Sequence, residues 1–246
     1  MIERTLYTAR LIREETLSAA AQTKHLVFRA EDLDRFDFAA GQFVSMVAPK
    51  DGKTITRAYS LASAPRGNEF DLCLNRVQDG YFSNLLCEMH EGDTIHFHGP
   101  HGAFVLRNPL RDSIFVATGT GIAPIRGFVQ WLFSDPARHE GKQAVLVYGT
   151  RYPSGLYYAD YFRLMAHDFP NFHYITTLSR PDEQWQGARG YVQEHVRGVI
   201  EACPESERGN FDAYICGLNA MVSATRKMLK EELGWDRKRI VFERYD

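Results

Sequence analysis

The stretch RAYSLASAP, residues 57 to 65, concentrates three chemically different side chains. Arg57 is a planar cation suited to phosphate or carboxylate, Tyr59 has an aromatic face, and Ser60 has a hydroxyl that donates and accepts. The alternation of apolar residues is typical of a β-strand. The question is which ligand needs a cation, a ring and a hydroxyl so close together. The alternative is a strand whose arginine pairs with a carboxylate and whose tyrosine packs in a core.

A glycine loop later in the chain could hold a diphosphate. In ATGTGIAP, residues 117 to 124, Gly119, Thr120 and Gly121 follow an apolar stretch and precede a helical pattern. Glycines there permit a tight turn and close approach of the backbone to a ligand. The start of the helix carries about half a positive elementary charge together with free amide donors. A simple turn would use the same glycines.

A second loop of this kind lies nearer the N-terminus, in GYFS at residues 80 to 83. Gly80 allows close approach, and Ser83 is the predicted N-cap of a helix. An ordinary capped helix would look the same. With Arg57 as a bidentate cation, however, the chain has two candidate diphosphate sites. Two dinucleotides are therefore predicted.

Two halves of different periodicity must position these residues. Up to about residue 106, short alternating stretches predict an antiparallel barrel or sandwich interrupted by one helix. After a boundary at residues 107–112, apolar stretches alternate with helical ones, which predicts a parallel sheet covered on both faces. We therefore predict two domains, 1–106 and 113–246, joined by a linker at 107–112.

The composition narrows the class of protein. With 29 basic and 31 acidic residues the formal charge is −2, which gives no electrostatic footprint for nucleic acid. No uncharged run reaches the roughly 18 residues of a membrane span, and the charged start MIERTLYTARLIREE does not resemble a signal peptide. The chain is expected to be cytoplasmic, with no nucleic acid or membrane partner. The 4 cysteines have no C-x-x-C spacing, so electron chemistry would need an organic cofactor.

Three histidines in HFHGPHG, namely His96, His98 and His101, have the imidazole groups that zinc and copper sites use. No carboxylate or thiol is adjacent, and the stretch overlaps the turn GPHGAF at residues 99–104. No metal site is predicted.

Short motifs along almost the whole chain resemble those of the ferredoxin–NADP⁺ reductase family. Each motif alone is common, but their order and spacing together are specific. They are RAYS (57–60), GPHGAF (99–104), GTGIAP (119–124), LSR with RGYVQ (178–180 and 189–193), CGLNAM (216–221) and the final ERYD. The resemblance implies an FAD-binding antiparallel β-barrel followed by an NADP-binding α/β domain with a parallel sheet.

The resemblance also assigns the flavin contacts. Arg57 would bind the flavin diphosphate, Tyr59 would lie against the isoalloxazine ring or its ribityl chain, and Ser60 would hydrogen-bond near the reactive N5. Gly80 and Ser83 match the second flavin-phosphate contact. FMN stays an alternative to FAD, because the adenine half has no clear contact of its own.

Three residues near the end of the chain match the family's catalytic positions. Cys216 would orient nicotinamide against the flavin, and a buried structural cysteine is the alternative. Glu243 and Ser60 are candidates for stabilising or relaying charge at N5. Tyr245 would cover the flavin face that nicotinamide must reach, and Asp246 extends one residue further than in plant enzymes.

The dinucleotide preference depends on the stretch TTLSRPDEQWQGARGYVQ. A 2′-phosphate calls for cations and hydroxyls, whereas an NAD site offers a carboxylate to the ribose. The residues matching the family's 2′-phosphate and adenine contacts are Ser179, Arg180, Arg189 and Tyr191. NADP is therefore preferred, although Asp182 or Glu183 could serve NAD.

The predicted activity is hydride transfer between NADP(H) and FAD, coupled to one-electron exchange with ferredoxin or flavodoxin. The basic residues Arg237, Lys238, Arg239 and Arg244 could form part of a surface for an acidic carrier. The alternatives are the reductase component of an oxygenase, a reductase of free flavin or ferric chelates, and a non-enzymatic flavin-binding subunit of a larger complex.

Overall fold

The computed structural model describes residues 5–245, which group into two compact units. The first unit extends to Leu106 and also includes Arg126–Trp131, and the second comprises Arg107–Ile125 and the described residues from Leu132 onward. Within residues 5–245, none of the helices combines the length and apolar character of a membrane span.

Six strands and one helix make up most of the first unit. Each strand coincides with one of the alternating apolar stretches. The strands are β1 (Tyr7–Ser18), β2 (Thr23–Ala30), β3 (Phe43–Lys50), β4 (Lys53–Ser60), β5 (Glu69–Asn75) and β6 (Thr94–His101), and helix α1 (Tyr81–Glu88) lies between β5 and β6 in the chain.

The six strands form an antiparallel sheet in the order β4-β3-β6-β1-β2-β5. Its two edges meet just beyond β4, where Leu61 bridges Leu72 and the amide of Ala62 donates to the carbonyl of Asp71 at 2.8 Å. These contacts close the sheet, so the predicted antiparallel barrel is confirmed and the sandwich alternative is wrong. Phenylalanine rings fill the barrel, with Phe70 and Phe97 at 5.0 Å between centroids.

A two-residue hairpin sets the register of β4. Lys50 and Lys53 are paired across the turn, and Asp51 and Gly52 both have positive φ, at 51° and 72°. Such turns match the twist of the flanking strands and favour the Asp-Gly pair. The register that follows pairs Arg57 with Met46.

The second unit alternates strands and helices as the sequence pattern predicts. Its elements are β7 (Asp112–Thr118), α2 (Ile122–Phe133), α3 (Pro136–His139), β8 (Ala144–Thr150), α4 (Ala159–Asp168), β9 (Phe172–Leu178), β10 (Ala188–Arg189), α5 (Val192–Ala202), α6 (Glu205–Arg208), β11 (Phe211–Leu218), α7 (Asn219–Lys227) and β12 (Ile240–Tyr245). The elements β10, α3 and α6 were not predicted, because two to four residues are too few to show a period.

The six strands of this unit are all parallel, in the order β10-β9-β8-β7-β11-β12. Both faces are covered: apolar residues of α5 and α7 join one core with Ile114, Val116 and Ile215, while Phe133 and Phe162 pack on Phe172. The predicted parallel sheet is confirmed. Chain order reverses between the neighbouring strands β7 and β11, and ligands of such sheets bind at the carboxyl ends of strands at that reversal.

Candidate functional site

In the barrel unit, β4 leaves Arg57 exposed and ends in buried Ser60. Alternation places Ile55, Arg57 and Tyr59 on one face, where Ile55 and Tyr59 pack against the barrel core. Within residues 5–245 Arg57 forms no ion pair, and its guanidinium makes only a 3.5 Å contact with the Thr56 carbonyl. The guanidinium is therefore available to an anionic ligand, as an arginine paired with a carboxylate would not be.

Tyr59 is held in its neutral form. Burial raises the pKa of Tyr59 to about 12, and Cys87 of α1 adds to the rise, while Arg57 opposes it. The phenol is therefore protonated at any physiological pH. It can donate a hydrogen bond and can lie against a ring without introducing a charge.

The start of α1 differs from the prediction. The helix begins at Tyr81 with Gly80 as its N-cap, so the prediction of Ser83 as N-cap is wrong. The Ser83 hydroxyl accepts from the amide of Val77 at 3.0 Å and donates to the carbonyl of Gly80 at 3.2 Å, which ties the preceding loop to the first turn. A side chain on Gly80 would come within 2.7 Å of that hydroxyl. The first-turn amides of the helix remain available for a phosphate.

The reversal between β7 and β11 depends on glycines. Gly119 has φ +55°, and Gly119–Gly121 form one turn of 3₁₀ helix before α2. A Cβ on Gly121 would lie 2.3 Å from the Cys216 carbonyl, and a Cβ on Gly217 would lie 2.4 Å from the Thr118 hydroxyl. The two strand ends can approach this closely only without side chains. The loop containing Thr120 and the turn after Cys216 therefore lie side by side.

The end of β11 groups three of the predicted catalytic residues. Cys216 is paired with Glu243 across β11 and β12, and Leu218 is paired with Tyr245. Burial raises the pKa of the Cys216 thiol well above its usual range; Glu243 raises it further, while a hydrogen bond with the Tyr245 side chain opposes the rise. The thiol is therefore neutral, which suits a packing role rather than nucleophilic attack.

Tyr245 is held more firmly than a loose chain end would be, because it is the last residue of a strand paired along its length. Asp246 lies outside the described residues.

At the carboxyl ends of β8 and β9, two arginines lie on adjacent loops. The Ser179 amide donates to the Thr150 carbonyl at 2.9 Å, and the Arg180 amide donates to the Arg151 carbonyl at 3.1 Å. Arg151 was not predicted as a site residue. Its position directly after the apolar strand AVLVYGT, like that of Arg180 after β9, is the signal that could have identified it. Neither arginine side chain forms an ion pair within the described part of the chain.

Two more of the predicted dinucleotide-binding residues lie in β10 and directly before α5. Arg189 is paired with Leu178, and Tyr191 precedes α5 with 64 % of its surface exposed. One nitrogen of the Arg189 guanidinium donates to the carbonyls of Asp182 and Trp185 at 3.1 and 3.0 Å, which leaves its other nitrogens for a ligand.

The carboxylate of Asp182, the possible ribose ligand of an NAD site, accepts hydrogen bonds from backbone amides of its own loop. Its Oδ1 accepts from the amides of Gln184 and Trp185 at 3.1 and 3.0 Å. This arrangement is a local turn stabilised by a side chain. It occupies one oxygen of the carboxylate and so weakens the case for NAD at this edge.

The three histidines of β6 are not arranged as a ligand set. Nδ1 of buried His98 lies 2.7 Å from Nε2 of His101, while His96 is exposed. In the range 5–245 there is no cluster of three or more histidine, cysteine or carboxylate side chains that could hold a metal ion.

Comparison with known proteins finds two different domain families, one in each half of the chain. Residues 8–106 match the oxidoreductase FAD-binding domain, and residues 115–227 match the oxidoreductase NAD-binding domain. Ferredoxin–NADP reductase B of Sorangium cellulosum (strain So ce56) is 38 % identical over 251 residues, covering 100 % of both chains. This chain belongs to the ferredoxin–NADP reductase family. It is an oxidoreductase with an FAD-binding and a nicotinamide-dinucleotide-binding domain, as the sequence motifs indicated.

The chain is also similar to an oxygenase component and to a solved reductase structure. The electron transfer component of 2-halobenzoate 1,2-dioxygenase from Burkholderia cepacia is 31 % identical over 214 residues, which cover 87 % of this chain and 60 % of that protein. The ferredoxin NADP⁺ reductase of Neisseria gonorrhoeae, solved with FAD and NADP, has a TM-score of 0.79 at 22 % identity and covers 98 % of this chain and 99 % of that one. That second similarity concerns the fold alone.

Proposed function

We propose that the protein is a ferredoxin–NADP⁺ reductase that exchanges hydride with NADP(H) and single electrons with a small acidic carrier such as ferredoxin or flavodoxin. The observation that carries the proposal is the full-length match to such a reductase, together with the residues at the carboxyl ends of β11 and β12. The domain limits 1–106 and 113–246, with a linker at 107–112, and a cytoplasmic location stay predictions.

The barrel unit has the donors that the FAD diphosphate needs. Arg57 is a cation without a carboxylate partner among the described residues, and the first turn of α1 has amide donors beside Gly80. Ser83 would hold the loop before the helix in place for the phosphate. Tyr59 would lie against the isoalloxazine or ribityl portion, and Ser60 would donate or accept near N5. FAD, when bound, supplies the conversion between two-electron and one-electron transfer.

The second unit has the residues for nicotinamide. Cys216 is neutral, small and polarizable, so it would orient the ring without binding it strongly. Glu243 would hold or move a proton near N5, through water. Tyr245 would occupy the nicotinamide position and be displaced when the dinucleotide binds, moving from the end of a strand rather than from a free tail.

Arginines at the carboxyl ends of β8, β9 and β10 favour NADP over NAD. The glycine loop at Gly119, Thr120 and Gly121 would take the diphosphate on its amides. Arg151, Arg180 and Arg189 would surround the 2′-phosphate, with Ser179 as a hydroxyl donor. Tyr191 would stack on adenine. A dianion is bound well by cations and hydroxyls, whereas a ribose hydroxyl gains little from three arginines.

A basic surface on the outer side of β12 would receive an acidic carrier. The guanidinium of Arg226 lies 3.7 Å from the centroid of the Phe242 ring, and that of Arg244 lies 5.3 Å from it. Burial lowers the pKa of Arg226, and repulsion from Arg244 and Arg237 lowers it further. Grouped arginines around an exposed ring match the charge and the apolar centre expected of such an interface.

The proposed function is tested by identifying the bound cofactor and measuring turnover. The purified protein should be yellow and release FAD on denaturation. Steady-state oxidation of NADPH should greatly exceed that of NADH, and the electrons should reach a ferredoxin, assayed by reduction of cytochrome c. Release of FMN, equal use of the two dinucleotides, or no NADPH oxidation would contradict the corresponding part of the proposal.

The oxygenase-reductase relative supports a second candidate. In that function the acceptor would be a separate iron–sulfur protein of an oxygenase. A panel of acceptors decides between the two: transfer to ferredoxin and flavodoxin at a higher kcat/KM than to an oxygenase ferredoxin favours the first.

A further inference from the structure

Tyr148 contacts two loops at the carboxyl edge of the parallel sheet although its side chain is fully buried. Its hydroxyl lies 3.0 Å from the carbonyl oxygen of Gly119 and 2.8 Å from that of Gly155. A phenol has one proton, so the two carbonyls share a single donor. The hydroxyl is thus a common attachment point for two segments that are more than thirty residues apart in the chain.

The carbonyl of Gly119 controls the direction of the next amide. It accepts from Tyr148 and also from the backbone N–H of Ile122, the first residue of α2. A trans peptide is planar, so a carbonyl held toward Tyr148 makes the N–H of Thr120 point the opposite way. The Gly119 backbone has φ +55°, a conformation that glycine adopts without strain and can also leave easily. The Tyr148 hydroxyl would keep it in place.

The carbonyl of Gly155 belongs to the loop that contains Arg151. Within that loop the Gly155 amide donates to the Tyr152 carbonyl at 3.0 Å, and the Thr150 hydroxyl donates to the same carbonyl at 2.8 Å. The turn at Gly155 is therefore connected to Arg151 through a short, hydrogen-bonded segment. Tyr148 links this segment to the glycine loop.

We propose that Tyr148 is a positioning residue for the dinucleotide: its hydroxyl aims the amide of Thr120 at the diphosphate and holds the Arg151 loop at a constant distance from it. Tyr148 contacts no ligand itself and acts through the backbones of Gly119 and Gly155. The inference rests on the proposed function, because it assumes that a nicotinamide dinucleotide binds at this edge.

The variant Tyr148→Phe removes the hydroxyl and keeps the ring. We expect KM to rise about threefold to tenfold, the range that one hydrogen bond contributes. The rise should occur for both NADPH and NADH, because both contain the diphosphate, and it should be larger for NADPH, whose 2′-phosphate also depends on the Arg151 loop. With saturating dinucleotide and ferricyanide as acceptor, kcat should stay within about twofold, and flavin content should not change. This pattern differs from loss of a 2′-phosphate contact, which affects NADPH alone.

Two other buried tyrosine hydroxyls provide matched controls. The Tyr174 hydroxyl has no hydrogen-bond partner within the described residues, and the Tyr214 hydroxyl accepts from the Arg107 amide at 3.0 Å, before β7 begins rather than at its carboxyl end. Tyr174→Phe and Tyr214→Phe should leave KM unchanged. Thermal unfolding of all three variants separates a general loss of stability from an effect on binding.

Equilibrium titration of NADP⁺, followed by the flavin difference spectrum, gives a second measure for Tyr148→Phe. An unchanged KM and Kd with wild-type flavin content would overturn the inference and leave the proposed function intact, as would an equal rise in KM in Tyr214→Phe. Failure of the wild-type protein to oxidise either dinucleotide would overturn the proposed function and this inference with it.

Discussion

Glu243 lies in register beside Cys216 across the last two strands, so a carboxyl group and a buried thiol share the carboxyl edge of the sheet. Such a carboxyl group can hold or pass a proton, whereas its amide counterpart cannot. We expect Glu243→Gln to lower kcat for NADPH with ferricyanide by at least about tenfold. The flavin spectrum should be unchanged. Glu207→Gln, at an exposed position on α6, is the control and should leave kcat unchanged. An unaltered kcat in Glu243→Gln would show that Glu243 has no role in the mechanism.

The burial of Cys216 predicts low reactivity toward alkylating agents. Only the thiolate reacts, and burial holds the thiol in its protonated form. Native protein treated with iodoacetamide at about pH 7.5 should be labelled at partly exposed Cys203 and not at Cys216. Peptide mapping by mass spectrometry measures both sites, and unfolded protein should be labelled at all 4 cysteines. Rapid native labelling of Cys216 would show that the thiol is accessible.

Removal of the Arg57 guanidinium should weaken flavin binding. A hydrogen bond to a charged group contributes about 1.5–3 kcal/mol, so Arg57→Ala should raise the Kd for FAD at least about tenfold. Titration of the apoprotein with FAD, followed by quenching of flavin fluorescence, measures the change. Arg35→Ala is a matched control, because Arg35 is exposed in the same unit and pairs with Asp37. Full flavin retention in Arg57→Ala would contradict the anion-binding role.

The three arginines at the ends of β8, β9 and β10 should contribute to the binding of NADPH but not to that of NADH. Replacing Arg151, Arg180 or Arg189 by Ala removes a cation that only the 2′-phosphate needs. We expect KM for NADPH to rise about tenfold or more in each variant, with KM for NADH nearly constant. Arg163→Ala on α4, where Arg163 pairs with Asp160 at 2.7 Å, is the control. Equal increases for both dinucleotides would contradict the NADP assignment.

A buried carboxylate near the start of β11, at the end of the strand away from Cys216, should lower the stability of the protein at neutral pH. Asp212 is 2 % exposed, its Oδ1 has no hydrogen-bond partner among residues 5–245, and burial raises its pKa despite Arg107, Arg111 and Arg239. The folded-state pKa of Asp212 is above its unfolded-state pKa. The free energy of unfolding therefore falls as the pH rises from the unfolded-state pKa through the folded-state pKa. Asp212→Asn should therefore be at least as stable as wild type at neutral pH.

Thermal unfolding of Asp212→Asn and of wild type at about pH 4 and pH 7 tests the sign of this pH dependence of stability. For a chain of this size, 1 kcal/mol corresponds to about 2–4 °C in Tm. The advantage of the variant should be larger at the higher pH, because the wild-type carboxyl group is ionised there at a cost. A variant several degrees less stable than wild type at pH 7 would show that the three arginines more than compensate for burial.

The amino-acid sequence was sufficient for the barrel and the parallel sheet, and it supplied most of the residues that remain candidates for the site. Alternation of apolar residues in stretches such as DTIHFHG identified strands, because a strand with one buried face alternates between buried and exposed residues. The glycine loop at Gly119 and Gly121 was recognisable because few other residues allow such a turn. Motif order then indicated the family by resemblance, because the motifs from RAYS to ERYD follow one another in the family's order along almost the whole chain.

Sheet order and hydrogen-bond partners required the tertiary structure. Gly121 contacts Cys216 only because β7 and β11 are neighbours, and no local pattern specifies which strands pair across nearly a hundred residues. The Ser83 hydroxyl was misassigned for a similar reason, since a serine near a helix start bonds to whichever backbone groups the loop brings to it. Arg151 and Tyr148 acquire their proposed roles from the loops around them, because an arginine or a tyrosine has no function that its own sequence neighbours define.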